Sequence, residues 1–481
     1  MKLIPTYKWA KSVRALNATQ KSFINQPWAS GVVLIISVVI AMLLANLPLT
    51  RELYKSILDT DLSIHILSPI RDDGTRAIDW IFPEGMTVEK FINDILMVIF
   101  FFTVGLEIKR EVVCGELSTP KKAIMPVIAA AGGMLVPALI YTIFNHGTEA
   151  STGWGIPTAT DIAFAIGIMS ILGNRVPISL KIFLTALAIA DDLGAIIVVA
   201  LFYGGHINIA LLAISLVLII FIYLMNQQGE KRPVHYLIPA VAVWFLFYYA
   251  GVHATMSGVV MAFLIPMEGK YNRAYLERKN AEYTRRLHLY EDLDNDKIVD
   301  EFPNDMQRHC LRRMSYIATN CMGLSYRLEH ILNPWVNFLI MPIFALANAG
   351  VEIPDVSYFN IFQYTPELGS VSMGVFFGLL LGKPIGITLA SLIAIKAKMG
   401  EKPSGSTWPM LFAVACLGGI GFTMSIFVDT LSFGENAPEI TEHLRASGKI
   451  AVLTASLCAG ILGSSLIILF NKIKAKQPQV Q

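Results

Sequence analysis

Long apolar blocks recur along nearly the whole 481-residue chain and restrict its fold more than any other feature of the sequence. Twelve such blocks can be distinguished, and most approach the roughly 20 residues that a helix needs to span a bilayer. Only 15% of the residues are charged, against about 25% in a typical soluble domain. Because a backbone in lipid must satisfy its own hydrogen bonds, we predict an all-α polytopic membrane protein with about 12 transmembrane helices. The blocks cover residues 28–47, 91–108, 123–144, 156–172, 178–203, 207–225, 236–249, 255–266, 331–348, 371–395, 408–428 and 450–469.

The positions of the basic residues predict the orientation of the chain. If residues 1–27 form a cytoplasmic segment and the blocks alternate in direction, most of the 38 lysines and arginines fall on the cytoplasmic side. This asymmetry is typical of membrane proteins. Blocks 1–8 then occupy 28–266 and blocks 9–12 occupy 326–471. An even number of helices places the tail, 472–481, in the cytoplasm as well.

A hydrophilic stretch, 267–325, separates these two groups of blocks. It contains ten acidic and ten basic residues, and its middle part has mixed charges at helical spacing. We predict a charged cytoplasmic insert that is partly helical. Its position outside the apolar blocks favours a role in regulation or partner binding over a role in the ion path.

Two apolar blocks contain residues that interrupt helices. The fourth begins "GWGIPTATDIAFAIGIMSI", with Pro157 and Asp161 near its start, and the eleventh contains "CLGGIGFTMSIF", with three glycines close together. Proline removes a backbone donor, and glycine weakens a helix. Non-helical backbone at membrane depth is tolerated where it is buried or lines a watery cavity, and interrupted helices in both halves of a chain are typical of a transporter's binding site. For the eleventh block the simpler interpretation, that glycine is common in membrane helices, stays open.

Three acidic residues lie within the fourth and fifth apolar blocks. Asp191 and Asp192 are adjacent near the middle of the fifth block, where a carboxylate costs roughly 2.5–3.5 kcal/mol on insertion scales. Asp161 follows Thr160 at the predicted break in the fourth block, where carbonyl, hydroxyl and carboxylate oxygens could together bind sodium or lithium. Structural roles remain as alternatives: a static polar network for the adjacent pair and a helix N-cap for Asp161.

Lys383 lies near the centre of the tenth block, too deep for its side chain to reach the membrane surface easily. We expect it to face an acid and to carry a proton, with a static buried salt bridge as the alternative. Protons and a cation compete for the carboxylates of such a cluster. This competition, combined with alternating access, predicts an antiporter.

Two other functions share some of these features. An intramembrane aspartyl protease needs two aspartates that share a proton across facing helices, whereas Asp191 and Asp192 are adjacent on one helix. A sodium-coupled solute symporter can have the same fold, but a centre of aspartates and a lysine suits ions better than a bulky solute. Both stay as alternatives to antiport.

Seven segments of the sequence closely resemble the NhaA-type sodium/proton antiporters. They follow one another in order along nearly all of the apolar blocks, and leave only the insert and the two ends outside the resemblance. Secondary transporters with interrupted helices and inverted repeats, NhaA among them, are a known architecture. The segments are "VGLEIKRE", "PTATDIAFAIG", "LKIFLTALAIADDLGAI", "GVHATMSG", "LEHILNPWVNFLIMPIFALANAGV", "GLLLGKPIGI" and "GGIGFTMSIF".

The resemblance implies an architecture and an ion site. The helices of blocks 3–5 and 10–12 would form inverted-topology repeats, and blocks 4 and 11 would cross at their interruptions. Asp192, Asp161 and Thr160 would bind sodium, and Asp191 would pair with Lys383 and release it during exchange. A cytoplasmic cluster would make activity rise at alkaline pH, and its counterparts here are Glu107, Arg110, Glu111 and Glu329. His253 is a further candidate, for which an ordinary polar role is an equal alternative.

The resemblance also implies a physiological setting. The protein would be an electrogenic, pH-regulated antiporter rather than an enzyme, and would export sodium or lithium in exchange for protons. It would be a multi-pass protein of the bacterial inner (plasma) membrane with both termini in the cytoplasm. Its partners would be these ions and the lipid bilayer, without a cofactor or nucleic acid, and a homodimer stays open.

Overall fold

A computed structural model describes residues 26, 28–67, 79–82, 85–204, 207–289, 304–353, 361–362, 364, 369–433 and 438–476. Most of the predicted N-terminal segment, 1–27, and the last five residues of the tail lie outside this set. The chain divides into two compact units. The first comprises 1–100, 111–205 and 334–481, and the second comprises 101–110 and 206–333.

Helices make up most of the described residues, which confirms the predicted all-α membrane class. In chain order they are α1 (Ala29–Asn46), α2 (Arg51–Leu58), α3 (Val88–Val113), α4 (Pro120–Asn145), α5 (Ile162–Leu172), α6 (Ile178–Phe202), α7 (Ile209–Gln227), α8 (Val234–Ala250), α9 (Thr255–Leu264), α10 (Arg273–Leu289), α11 (Asp305–Cys321), α12 (Leu324–Asn348), α13 (Val371–Lys396), α14 (Trp408–Leu417), α15 (Phe422–Ser432) and α16 (Pro438–Lys476). Two 3-10 helices, Glu149–Thr158 and Gly173–Arg175, flank α5.

Nine helical segments of the described chain are long and apolar enough to cross a bilayer. The number becomes ten if α14 and α15, which are bent by 53° at a short break, form one broken span. Two shorter apolar helices, α8 and α9, lie at the seventh and eighth apolar blocks. The sequence therefore located the apolar segments correctly, while the exact number of spans stays a prediction.

One element was not expected from the sequence. Strands β1 (Ile64–Leu67) and β2 (Asp79–Phe82) form a two-stranded antiparallel sheet in which Ile64 pairs with Phe82 and Leu67 pairs with Asp79. The sheet lies in the long stretch between the first and second apolar blocks. It adds a small β element to a fold that is otherwise helical over the described residues.

In the first unit, α4 and α13 approach each other until their backbones touch. A Cβ atom added to Gly132 would lie 2.5 Å from the carbonyl oxygen of Gly386, and one added to Gly386 would lie 2.2 Å from that of Gly132. Small residues of this kind let membrane helices pack closely without a layer of side chains between them. The contact lies one turn from Lys383 and positions that residue beside α4.

In the second unit, an apolar core joins α7, α8 and α9 with the part of α3 that belongs to this unit. The close approach again depends on glycine, because a Cβ on Gly105 would lie 2.7 Å from that of Ala262. The buried core residues are Phe102, Leu106, Ile222, Tyr236, Val243, Phe247, Met261, Ala262, Leu264, Ile265 and Leu324. These residues come from several helices of the unit, and their packing in one cluster makes the unit compact.

The charged insert forms α10 and α11. The second of these begins with a capping box, in which Asn304 Oδ1 accepts from Gln307 N at 2.8 Å and Gln307 Oε1 accepts from Asn304 N at 3.0 Å. The two ends of the insert meet, because Lys270 N donates to Asn320 O at 2.6 Å. No residue of α10 is buried. The first and last residues of the insert's helical part thus lie next to each other.

Candidate ion-binding site

Two helix interruptions form the centre of the site. The 3-10 helix Glu149–Thr158 ends before an extended stretch through Asp161, which caps α5 by accepting from Phe164 N at 3.2 Å. The second interruption lies between Leu417, where α14 ends, and Phe422, where α15 begins. The sequence placed both breaks correctly. The N-cap role that was left open for Asp161 is present in the structure.

The two interruptions bind each other through the backbone groups that they free. Asp161 N donates to Ile420 O at 2.7 Å, and the Thr160 hydroxyl donates to Gly418 O at 2.8 Å. Thr423, in the first turn of α15, donates from its hydroxyl to Asp161 Oδ2 at 2.5 Å and from its backbone N at 3.2 Å. Unpaired backbone groups are costly at membrane depth, so these bonds hold the breaks together.

Lys383 lies on α13 directly after a π-helical turn, Gly378–Gly382. Pro384 cannot donate to the carbonyl four residues before it, which favours irregular geometry at this point. The turn also packs tightly against the second interruption, because a Cβ on Gly419 would lie 2.4 Å from Leu379 O. The local sequence therefore places the lysine next to both broken helices.

A hydrogen-bonded triad connects the lysine to the breaks. The Lys383 ammonium forms a salt bridge with Asp191 Oδ2 and donates to the Thr160 hydroxyl at 2.9 Å. That hydroxyl also lies 2.5 Å from Asp191 Oδ2. All three side chains are completely buried. Because the hydroxyl has one proton, its bonds to Asp191 and to Gly418 O share a single donor.

The site contains more acidic than basic side chains, which favours the binding of a cation. Asp161 and Asp192 are each 2% exposed, and Asp191 is fully buried, so three carboxyl groups accompany one buried lysine. Asp192 acts electrostatically on Lys383. Carboxylate, hydroxyl and carbonyl oxygens are hard donors suited to an alkali cation. Among the described residues, no group of three acidic, histidine or cysteine side chains is arranged to hold a resident metal ion.

The residues assigned to pH regulation divide into separate contacts. In the second unit, the Arg110 guanidinium pairs with buried Glu329, and its Nη2 lies 3.8 Å from Glu107 Oε1. In the first unit, Glu111 Oε2 accepts from Glu116 N at 3.1 Å. His253 lies between α8 and α9, and its carbonyl accepts from Met256 N at 3.0 Å.

The model of the Na+/H+ antiporter 1 family matches residues 21–467. An Na(+)/H(+) antiporter NhaA from Pelagibacter ubique is 39% identical over 461 residues, which cover 96% of this chain and 100% of that protein. One from Acidithiobacillus ferrooxidans is 39% identical, with 95% and 98% covered, and one from Escherichia coli strain UTI89 is 37% identical, with 92% and 96% covered. The chain belongs to the Na+/H+ antiporter 1 family. The resemblance drawn from the seven sequence segments is thereby confirmed.

Two polar residues near the site, Thr423 and Asp429, are not among those that the sequence predicts. Thr423 lies inside the quoted "GGIGFTMSIF" segment but was not assigned a role, although it donates twice to Asp161. Asp429 was excluded because the eleventh apolar block was ended at Val428, whereas α15 continues to Ser432. The signal for Thr423 was its position one turn beyond the glycines. The signal for Asp429 was the apolar sequence that continues on both sides of it.

Proposed function

We propose that this protein is an electrogenic sodium/proton antiporter that exports sodium or lithium and takes up protons by alternating access. The observation that carries the proposal is the buried triad of Lys383, Asp191 and Thr160 at the point where two interrupted helices meet. Family membership supports exchange of these ions over the symporter and protease alternatives. The protein is a membrane transporter in this proposal, not an enzyme.

Sodium is proposed to bind to Asp161, Asp192 and Thr160. The Thr160 oxygen becomes a better ligand when its proton points at Asp191 or Gly418 O, because a lone pair then faces the cation. Asp161 is already oriented by Thr423 and by the first turn of α5. A cation that enters this site displaces protons that compete for the same carboxylates.

Lys383 is proposed to carry a proton. Its ammonium contacts Asp191 and Thr160, so binding of a cation beside Thr160 changes the surroundings of the pair directly. The ammonium then releases its proton when the interaction with Asp191 weakens, and recovers it when sodium leaves. Movement of more than one proton per sodium makes the exchange electrogenic.

Alternating access is proposed to arise at the two interruptions. Residues 159–161 and 418–421 lack the regular hydrogen bonds of a helix, so they can absorb changes in backbone angle while α5, α14 and α15 stay intact. The Arg110 pair with Glu329, near Glu107, is the proposed centre of pH regulation. Glu111 and His253 are secondary candidates.

The cellular setting is proposed from the sequence and the family. The protein is a multi-pass membrane protein, and we place it in the bacterial inner membrane with both termini in the cytoplasm. Inverted repeats in blocks 3–5 and 10–12 would relate the two interrupted helices. No cofactor or nucleic acid takes part, and association into a homodimer would leave the site within each copy.

Everted membrane vesicles test the proposal. Adding sodium to vesicles that contain the wild-type protein and hold an imposed pH gradient should drive protons out of the vesicles. Asp192→Asn should abolish this proton release, because it removes a charge that cation and proton both need. Asp305→Asn is the matched control, since that carboxylate lies on the insert and its side chain is 97% exposed. Near wild-type release by the Asp192→Asn protein would overturn the assignment. Sodium-dependent uptake of a labelled organic solute would instead favour the symporter.

A further inference from the structure

Asp429 is a buried acid outside the triad that the proposed mechanism does not use. It lies on α15 and is completely buried, and neither of its carboxyl oxygens has a hydrogen-bond partner among the residues that the structure describes. A buried carboxyl group of this kind is costly, and acids inside membrane helices mark ion or proton pathways. Its position therefore calls for a functional explanation.

The surrounding helices leave space specifically for this carboxyl group. Gly448 on α16 packs directly against it, and a Cβ atom at that position would lie 1.9 Å from Asp429 Oδ1. Two basic residues on α16, Arg445 and Lys449, act on Asp429 electrostatically. Arg445 is held by Thr430 O at 3.0 Å and Phe433 O at 2.6 Å. Nη2 of the guanidinium is thus held at the end of α15, while Nε has no hydrogen-bond partner among the described residues.

The other titratable groups around Asp429 are two tyrosines and one acid. Tyr141 on α4 and Tyr203 at the end of α6 interact with it electrostatically, and their hydroxyls donate to Ala150 O at 2.7 Å and Thr152 O at 2.8 Å. Glu89, at the start of α3, acts on Lys449. An alkali cation needs several oxygen ligands, whereas a proton needs a single carboxyl oxygen, so a proton is the better ligand for the isolated Asp429 carboxyl group. The positive charges of Lys449 and Arg445 oppose the binding of either one.

A buried hydroxyl group, that of Ser425, lies on α15 between Asp429 and the helix interruption. Ser425 is completely buried, its hydroxyl has no hydrogen-bond partner among the described residues, and it lies against Gly421 at the helix interruption. Residues four apart share one face of a helix, so Ser425 and Asp429 follow each other along α15. Thr423, which holds Asp161, is six residues from Asp429, a distance of roughly 9 Å along the helix.

The proposed orientation of the chain indicates on which side of the ion site Asp429 lies. Lysines 396, 398 and 402 precede α14 and belong to the cytoplasmic side, so α14 runs from the cytoplasm to the interruption and α15 continues outward. Asp429 consequently lies in the external half of the membrane.

From these contacts we infer that Asp429 is a proton-binding site that passes protons between the external solution and the ion site. The Asp429 carboxylate accepts a proton from external water. Because Asp429 and Ser425 form no direct hydrogen bond, a water molecule between them takes this proton and donates one to the Ser425 hydroxyl, which gives its own proton to a carboxylate of the ion site. The inference rests on the proposed antiport. It assigns the external step of proton movement to a residue outside the sodium-binding set.

Proteoliposomes with a single protein orientation test the inference. We expect Asp429→Asn to slow exchange at least about tenfold and to flatten its dependence on external pH, while the dependence on internal pH and the apparent affinity for sodium stay unchanged. Ser425→Ala should lower the rate in the same direction without changing the charge. Lys449→Gln should move the external pH profile towards alkaline pH, because loss of the positive charge favours the protonated carboxyl, and Lys449→Arg should leave the profile in place.

Infrared difference spectra between acidic and alkaline pH provide a measurement that does not depend on transport. The wild-type spectrum should contain a carboxyl band that is missing in Asp429→Asn. Loss of activity without any change in the external pH profile, or an unchanged carboxyl band, would overturn the inference and leave Asp429 with a structural role. Asp192→Asn, measured in parallel, separates the two hypotheses. If that variant is inactive while Asp429→Asn behaves as wild type, the relay fails and the antiport proposal stands.

Discussion

The triad and the charged insert use the same kinds of side chain in opposite ways. Lys383 and Asp191 are 0% exposed, whereas Arg273 and Glu277 on α10 form a 2.7 Å ion pair with 90% and 63% of their side chains exposed. Exposed pairs contribute between 0 and about 1 kcal/mol, because water solvates each partner almost as well. Loss of one partner of a buried pair costs about 3–5 kcal/mol, because the other charge has no alternative. We therefore expect the few buried charges, and not the many exposed ones, to determine function here.

The insert shows how modest the electrostatic effects of exposed groups are. A hydrogen bond from Lys279 lowers the pKa of Glu282 from its ordinary value, and the same bond raises the pKa of Lys279. The stabilising effect of Glu282 is present above its unfolded-state pKa and is lost as the pH falls through the lower pKa of the folded state. At neutral pH this pairing stays intact, so we do not expect it to act as a pH switch.

The largest difference between the two regions should follow from removal of one basic residue in each. Lys383→Ala leaves Asp191 buried without its cation, so we expect a loss of about 3–5 kcal/mol in the free energy of unfolding and an altered number of protons per sodium. Arg273→Ala should change stability by less than about 0.5 kcal/mol. Thermal unfolding in detergent and the dependence of exchange on membrane potential provide the measurements. Unchanged values in Lys383→Ala would show that the lysine is not part of the transport machinery.

An intermediate effect is expected where the pair is half-buried. Arg110→Gln removes the guanidinium beside Glu329, whose side chain is 5% exposed, and should cost about 1–3 kcal/mol while it shifts the pH profile of exchange. Arg308→Gln is the matched control, because its partner Asp305 lies in solvent. Sodium-driven proton release measured from pH 6 to 9 would show the shift. An identical profile in both variants would remove this pair from pH regulation.

The smallest effect should come from the largest change to the sequence. Replacing 271–319 by a short flexible linker should leave the maximal exchange rate unchanged, since Lys270 N and Asn320 O are already 2.6 Å apart and the ends need no rearrangement. The pH profile is free to shift. A variant with the same linker inserted after Lys270, without any deletion, controls for the linker itself. A correctly folded deletion protein without exchange at any pH would show that the insert belongs to the transport core.

Hydropathy predicted the fold well because lipid imposes length and composition on every spanning helix. The breaks were predicted from proline and glycine instead, since Pro157 and the glycines at 418, 419 and 421 weaken helices. Hydropathy ended the eleventh block too early, because it scores a charged residue in the same way in a loop and in a buried helix. Asp429 was lost for that reason.

The site was predictable to a lesser extent. A lysine at the depth of Lys383 requires an acidic partner. Whether that partner is Asp191 or Asp192 depends on which face of α6 meets α13, because adjacent residues on a helix point about 100° apart. No feature of the sequence indicated that Thr160 bonds to Asp191 as well as to Gly418 O. The role of Thr423 required the two interruptions to be in contact. Such features depend on tertiary packing and not on local composition.

The contact of backbones at Gly132 and Gly386 has a mechanical consequence for the lysine. With no side chains between them, α4 and α13 meet backbone to backbone at this point, and we expect any relative motion of the two helices to be a pivot about it. Lys383 is three residues from the pivot, roughly 4.5 Å along the axis, so a tilt that swings the helix ends widely moves the ammonium very little. The distance from the contact to the ammonium is short, whereas the distance from the contact to each membrane surface is long. If the proposed alternating access uses this pivot, it requires little work against the membrane's electric field, because the charged group itself hardly moves.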